Sequence, residues 1–112
     1  MAQDELIADR GLTIEIRRDA DRVVLLLEGE LDMENAATLD EQLLAAETSD
    51  VSQIVLDLRG LRFIDSSGLR SILLATKRSR QDSNRLGVLR GSGEVARLLK
   101  LTAIDHSLDL LD

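Results

Sequence analysis

The sequence predicts an α/β domain with a mostly parallel central sheet. Short apolar runs alternate along the chain with segments of helical periodicity, and the first run has the period-two pattern of a strand. Strands that alternate with helices favour a right-handed βαβ winding with parallel pairing. An antiparallel hairpin strand precedes this pattern, and the length of 112 residues suits one domain.

The N-terminal part predicts an arm and then a hairpin. Residues 1–11 are mixed and polar, so we expect a flexible N-terminal arm there. Residues 12–17 alternate between apolar and polar types, as a half-buried strand does. A turn over residues 19–22 leads to Val23–Leu27, a continuous apolar run that favours a strand covered on both faces or nearly so.

The middle of the chain predicts two helices around a second parallel strand. Gly29–Asp32 is expected to break the preceding strand, and Val51–Leu58 restores a strand pattern. Apolar residues at helical spacing predict that the first helix buries Ala36, Leu39, Leu43 and Ala46. The same spacing predicts an apolar stripe on the second helix at Leu69, Ile72, Leu73 and Thr76, with a solvated basic face at Arg70, Lys77, Arg78 and Arg80.

The remaining chain repeats the strand, turn and helix unit. Leu86–Leu89 predicts a short strand, and a glycine-rich corner at residues 91–93 leads into a third helix carrying Val95, Leu98 and Leu99. The tail at residues 108–111 fits either a brief strand or the first turn of a helix. Phe63, the sole aromatic residue, is expected in the core.

Composition excludes several classes of function. The chain has no cysteine and one histidine, so it can form neither a Cys-based nor a multi-His metal site. A net charge of −7 argues against direct nucleic-acid binding, which depends on Lys and Arg. Apolar runs are far shorter than the roughly 20 residues that span a bilayer, and the N-terminus lacks the apolar core of a signal peptide. We therefore expect no membrane insertion. The absence of cysteine is compatible with the cytoplasm, where we expect the protein to act.

The most informative segment is the corner Asp65-Ser66-Ser67-Gly68, which passes from a strand pattern into a helix. Asp and Ser are favoured helix N-caps, and a glycine there allows close packing, so this corner has an ordinary structural explanation. The same position places two hydroxyls at a helix N-terminus, where unpaired N–H groups and the dipole favour negative charge. A phosphate on either serine would be tolerated by the fold.

No catalytic, cofactor or metal site is predicted. A nucleophilic serine needs a base, but His106 lies in the tail without a link to Ser66, and no G-x-S-x-G elbow is present. The corner at residues 91–93 lacks the lysine and spacing of a P-loop. Some of the 21 acidic residues will be neighbours by chance, so no acid-base pair is inferred for Glu30, Asp32, Asp57 and Asp65.

The order of the elements resembles the STAS family, whose bacterial members include anti-sigma factor antagonists. The segments that carry the resemblance are Gly29–Asp32, Ile54–Leu58, Phe63–Leu69 and Val95–Leu99. It implies a STAS fold with helices packed mainly on one face, as a single domain over residues 12–112. Related domains commonly end with another helix near the sheet, and the resemblance leaves open whether this domain lacks that helix.

The resemblance also implies a switch. Ser66, the first serine after Asp65, would be phosphorylated by an anti-sigma factor that is itself a serine kinase, with Ser67 as the second candidate. The unphosphorylated antagonist binds the anti-sigma factor and frees sigma, and a phosphoserine phosphatase acts on the phosphorylated form. The implied partner-binding residues are Asp32, Asp65, Ser66, Ser67, Gly68, Leu69 and Arg70. The chain would be substrate and ligand, not an enzyme.

Two other roles stay open within the same family. One is a soluble STAS subunit of a lipid-transport ABC complex, which would dock on transporter helices through much the same surface. The other is a nucleotide-binding STAS regulatory module that uses the glycine-rich corner at residues 91–93.

Overall fold

The computed structural model describes residues 3–112, which form one five-stranded sheet in the order β1-β2-β3-β4-β5. The strands are β1 (Gln3–Asp9), β2 (Leu12–Asp19), β3 (Arg22–Leu31), β4 (Gln53–Ile64) and β5 (Leu86–Leu89). The helices are α1 (Ala36–Glu47), α2 (Ser66–Gln81) and α3 (Glu94–Leu101), with a 3-10 turn at Ile104–Ser107. β3, β4 and β5 pair in parallel, and β1 to β3 pair antiparallel. The α/β winding is confirmed, in a mixed sheet.

The flexible arm predicted over residues 1–11 is wrong for the part that forms β1. Residues 3–9 pair with β2 along their whole length, with Ile7 opposite Ile14. Backbone hydrogen bonds to β2 and the packing of Ile7 against the core hold this edge strand. The strand therefore forms although its sequence has little apolar periodicity. Met1 and Ala2 lie outside the described residues.

One buried apolar cluster joins the sheet to all three helices. Its strand members include Leu12, Ile14, Ile16, Val23, Leu25, Leu27, Ile54, Leu56, Leu58, Leu86 and Val88. α1 buries Ala36, Leu39, Leu43 and Ala46, as its spacing predicts. α2 buries Ile72 and Thr76 but leaves Leu69 and Leu73 partly exposed, and α3 buries Ala96 in place of Leu98. The helices therefore cover one face of the sheet.

Within residues 3–112, no helix covers the other face of β3. Val23, Leu25 and Leu27 are buried, whereas Val24 and Leu26, which point the opposite way, are only half-buried. The prediction that this strand is covered on both faces is therefore wrong for the chain by itself.

β3 does not break at Gly29. It continues to Leu31 through irregular pairing with β4, whose own length reaches Ile64. Gly29 has φ +97°, and a Cβ there would lie 2.1 Å from the Gly11 carbonyl oxygen, so the strand can pass only with a glycine at this point. The extension carries the β3–α1 loop up to the end of β4.

The tail forms neither a helical turn nor a full strand at residues 108–111, and instead makes a single β-bridge beside β5. Leu110 makes a parallel bridge with Val88, and Leu111 lies over Gly87. The Asp112 carboxylate accepts hydrogen bonds from the backbone N–H groups of Arg90 and Gly91, at 3.1 and 2.7 Å. Of the glycine-rich corner at residues 91–93, the Gly91 amide group is thus bound to a carboxylate of the same chain.

Asp57 is a buried carboxylate on the helix-free face, and its side chain is held by Arg59. The Arg59 Nε and Nη2 atoms donate to it at 3.0 and 2.8 Å. Burial alone would raise the pKa of Asp57, but the hydrogen bonds from the Arg59 side chain and backbone, with the guanidinium charge, outweigh burial and hold that pKa below its usual value.

This arrangement predicts a pH-dependent stability. A depressed carboxyl pKa contributes stability above its unfolded pKa, about 3.9, and that stability is lost as pH falls through the folded pKa. Asp57→Asn should lower the free energy of unfolding by about 1–2 kcal/mol at pH 7. The difference from the unmodified protein should shrink below pH ~3.9. Urea unfolding midpoints across this range measure it, and equal differences at every pH would contradict it.

Candidate functional site

Two loops meet at the carboxyl ends of β3 and β4. Leu31 pairs with Ile64 at the end of the parallel ladder, and the Asp65 N–H donates to the Leu31 carbonyl at 3.1 Å. Parallel strands necessarily bring their carboxyl ends to one edge of the sheet. The β3–α1 loop, which contains Asp32, therefore lies beside the start of α2.

Asp65 links the β3–α1 loop to the start of α2 through hydrogen bonds. Its Oδ1 atom accepts from the Gly68 N–H at 3.0 Å, which makes it the N-cap of α2 as its residue type predicts. Its Oδ2 atom accepts from the Met33 N–H, also at 3.0 Å. Both oxygens are engaged within the fold, so Asp65 positions the site more than it faces a partner.

Gly68 is buried where α2 crosses the end of β3. A Cβ at this position would lie 2.7 Å from Leu31 Cγ and 2.9 Å from Ile64 Cγ1, well inside normal contact. Its close packing is thus confirmed, and it faces the core instead of solvent.

Gly68→Ala should therefore destabilise the fold by about 1–3 kcal/mol, because two packed apolar side chains must move. The shift of α2 should also disturb the Asp65 cap, which amide chemical shifts of Met33 and Gly68 would report. Gly93→Ala, where a Cβ meets nothing within 4 Å, is the matched control. An equal loss in both variants would contradict the packing argument.

Ser66 is the exposed first residue of α2, and Ser67 beside it is half-buried. No acidic residue lies in the first turn of this 16-residue helix. The helix dipole and the free N–H groups of that turn favour an anion at Ser66. Arg70, one turn further and exposed, adds a cation on the same side of the helix. The position suits a phosphorylated hydroxyl.

Asn35 organises the Asp32 loop, and the sequence analysis missed it. It is completely buried. Its Oδ1 atom accepts from the Asp32 N–H at 2.9 Å, and its Nδ2 atom donates to the carbonyl oxygens of Arg10 and Glu30 at 3.1 and 3.0 Å. An Asn before a helix is typical of an N-cap, yet its side chain makes no capping bond here.

The β1–β2 turn supports the same loop from behind. Thr38 Oγ1 donates to Asp9 Oδ2 at 2.6 Å, and the Arg10 guanidinium donates to the Glu34 carbonyl. Hydrogen bonds from Thr38 and then from Arg10 hold the pKa of Asp9 below its usual value. Asp9 and Arg10, which lie in the segment predicted as an arm, thus support the Asp32 loop.

Exposed apolar side chains lie next to these loops. Met33 is 78% exposed and Phe63 is 50% exposed. The prediction of Phe63 in the core is wrong, because β4 pairs irregularly with β3 near its end and leaves both Arg62 and Phe63 outside. Phe63 and Leu98 line a shallow groove between β4 and α3. The residue type alone could not show that the Phe63 ring is exposed and not buried in the core.

Three of the carboxylates considered in the sequence are bound to different groups of the fold. Asp57 is bound to Arg59, Asp65 to two backbone amides, and Asp32 Oδ1 accepts from the Glu34 N–H at 3.0 Å. His106 is a surface residue, 84% exposed, as expected. Among residues 3–112, no group of three or more His, Cys, Asp or Glu residues is arranged to hold a metal ion. In that same range no helix is both long and apolar enough to cross a membrane.

Comparison with known proteins shows what the chain is similar to. Residues 14–112 match the family model "Mlab, STAS domain". An anti-sigma-B factor antagonist of Listeria monocytogenes is 27% identical over 101 residues, 89% of each chain. The anti-sigma-F factor antagonist RsfB of Mycobacterium tuberculosis is 28% identical over 103 residues, 92% of this chain and 84% of the relative. A solved anti-sigma factor antagonist from Mycobacterium paratuberculosis, 26% identical, covers 88% of this chain and 84% of its own with a TM-score of 0.75.

Proposed function

Because this chain belongs to the STAS domain family, we propose that it is a cytoplasmic anti-sigma factor antagonist controlled at Ser66. It binds an anti-sigma factor serine kinase while Ser66 is unmodified, and phosphorylation of Ser66 ends that binding. A phosphoserine phosphatase reverses the change. The observation that carries the proposal is the exposed Ser66 hydroxyl at the start of α2, beside the Asp32 loop, in a chain whose relatives are named anti-sigma factor antagonists.

The expected partner-binding residues divide into two groups by burial. Ser66 and Arg70 are exposed, and Asp32, Ser67 and Leu69 are half-buried, so these five can touch a partner. Gly68 is buried and Asp65 is bonded on both oxygens. Gly68 and Asp65 therefore act by keeping the five contacting residues in position.

The antagonist is a substrate and a ligand in this scheme, and the chemistry belongs to the kinase and the phosphatase. A serine at the first position of a helix presents its hydroxyl to solvent, and a kinase can reach it without unfolding the domain. Once attached, the phosphate is accommodated by the helix N-terminus. The switch therefore requires no large conformational change.

Phosphorylation in vitro tests the assignment. The protein is incubated with its cognate anti-sigma kinase and ATP, and the modified residue is mapped by peptide mass spectrometry. Phosphate should appear on Ser66, and Ser66→Ala should abolish incorporation while Ser67→Ala retains it. Labelling of Ser66→Ala at Ser67 or at any other residue, to the level seen in the wild type, would reject the site. Absence of labelling of the folded wild type would reject the switch.

A second candidate is supported by one observation, the name of the matching family model. The chain would then be a STAS subunit of a lipid-transport ABC complex that docks through the same loops. Neighbouring genes separate the two: a permease and an ATPase favour transport, whereas an anti-sigma kinase and a phosphatase favour the antagonist. The antagonist is preferred because the relatives aligned over most of this chain carry that name.

A further inference from the structure

We propose that Arg70 holds the phosphate of phosphorylated Ser66 in an ion pair within α2. The inference rests on the proposed function for the presence of that phosphate, and it assigns a residue of this chain to its recognition. The ligand is a phosphate monoester dianion attached to the same helix. The pair forms only after phosphorylation, because a serine hydroxyl carries no charge.

Ser66 and Arg70 lie one turn apart on the exposed side of α2. Both residues are exposed, whereas Gly68, Ser71 and Ile72 on the opposite side of the helix are buried. Residues four apart on a helix are neighbours, separated by about 6 Å along the axis. An anion that precedes a cation by four residues is the favourable order, since it agrees with the helix dipole. A phosphate on Ser66 is therefore placed to pair with Arg70.

Arg70 differs from the other two arginines of α2 in having no acidic partner. Arg78 donates to both carboxylate oxygens of Glu47 at 2.8 and 2.9 Å, and Arg80 donates to both of those of Asp109 at 3.1 Å. Arg70 forms no ion pair in the part of the chain that the structure describes. Its guanidinium is therefore available for a new anion.

The backbone at the start of α2 is already partly used by Asp65. The Gly68 N–H donates to Asp65 Oδ1, and the Leu69 N–H donates to the Asp65 carbonyl oxygen, both at 3.0 Å. Asp65 also places a carboxylate directly before Ser66. A phosphate there adds about −1.5 to −2 charges beside that carboxylate. A nearby positive side chain compensates the added charge better than the remaining backbone amides can.

Arg70 is the nearest cation to Ser66 along α2. The next basic residue is Lys77, about 16 Å from Ser66 along the helix axis. That separation exceeds the Debye length of about 8 Å at physiological salt, so Lys77 contributes little. An arginine also suits a phosphate better than a lysine does, because its planar guanidinium donates two parallel hydrogen bonds to two phosphate oxygens.

The ion pair also changes the surface that faces the partner. Arg70 is exposed and belongs to the five residues that can touch the anti-sigma factor in the proposed function. Phosphorylation then adds an anion at residue 66 and at the same time occupies the guanidinium of residue 70. One modification thus alters two groups of the contact surface without moving the backbone.

Protein with phosphoserine introduced at residue 66 tests the pair. Genetic code expansion places phosphoserine at that codon, so the sample does not depend on any kinase. The phosphorus NMR signal is followed against pH, because a neighbouring cation favours the dianion. Arg70→Gln should raise the pKa of the phosphate, about 6 without a partner, by about 0.5 relative to the same protein with Arg70. Lys77→Gln, which removes an exposed cation of the same helix, is the matched control and should leave it unchanged.

A second readout distinguishes two parallel hydrogen bonds from a point charge. The Arg70 Nε–H signal of the 15N-labelled protein should shift and exchange more slowly with water once phosphoserine is present. Arg70→Lys should keep most of the effect on the phosphate pKa, since it keeps the charge and loses only the planar fork. Thermal melting of each variant without the phosphate should match the wild type, because Arg70 makes no ion pair to lose.

Three results would overturn the proposal. One is an equal phosphate pKa with Arg70 and with Arg70→Gln, and another is an equal rise in Lys77→Gln, which would indicate a general effect of net charge. The third is an Arg70 Nε–H signal that does not respond to the phosphate. Failure of the anti-sigma kinase to modify Ser66 would reject the proposed function instead, and the ion pair measured on the introduced phosphoserine would stand.

Discussion

Protein carrying phosphoserine at residue 66 should bind the anti-sigma factor at least about a hundredfold more weakly than the unmodified protein, a loss of about 2.7 kcal/mol. Phosphorylation adds about −1.5 to −2 charges and bulk to a hydroxyl that the structure leaves exposed. Asp65 and any carboxylate of the partner oppose that charge, while the helix N-terminus keeps the phosphate compatible with the fold. Isothermal titration of both forms against the purified anti-sigma factor measures the ratio.

Alanine variants at the two serines provide the controls. Ser66→Ala should bind like the unmodified protein and remain bound when ATP is added, because it has no acceptor hydroxyl. Ser67→Ala should release in ATP as the wild type does. If Ser67→Ala is the variant that stays bound, the switch belongs to the neighbouring serine. Ser66→Asp is a poor mimic, since one carboxylate reproduces neither the charge nor the three oxygens of a phosphate.

Asn35→Ala should lower the free energy of unfolding by about 2–4 kcal/mol. Asn35 is completely buried, and the substitution leaves the Asp32 N–H and the carbonyl oxygens of Arg10 and Glu30 without this partner. Because Asn35 ties the β1–β2 turn to the Asp32 loop, anti-sigma factor affinity should fall as well. Urea unfolding at pH 7 measures the stability, and hydrogen exchange at Asp32 and Met33 shows whether the loop has loosened.

Gln81→Ala is the matched control for this loss. Gln81 is an exposed amide at the end of α2, and its removal should change stability by less than about 0.5 kcal/mol. A wild-type exchange rate in the Asp32 loop of Asn35→Ala would show that Asn35 does not position that loop, whatever its effect on stability.

The elements that periodicity describes were predicted well. α1 buries the four residues that its spacing selected, because a helix packed on a sheet must bury one stripe. β5 has the bounds that its apolar run indicated. The Asp65 cap and the close packing of Gly68 also follow from residue type at a strand-to-helix corner.

The features that depend on distant contacts could not be predicted. β1 is held by its ladder with β2 and by Ile7, so its composition resembles that of a polar arm. The partners of Asn35 at Arg10 and Glu30 come together only through the sheet topology. The apolar run of β3 predicted packing on both faces, but Val24 and Leu26 are only half-buried, because burial of the second face depends on which elements the fold places there.

The phosphate content of partner-bound protein is the most direct test of the central claim. The protein is purified from its native cells in two fractions, free and bound to the anti-sigma factor, and the modification of Ser66 is quantified in each. Phosphoserine should be confined to the free fraction, and phosphatase treatment of that fraction should restore binding. Equal phosphorylation of Ser66 in both fractions, or a bound partner that belongs to a transporter, would contradict the claim.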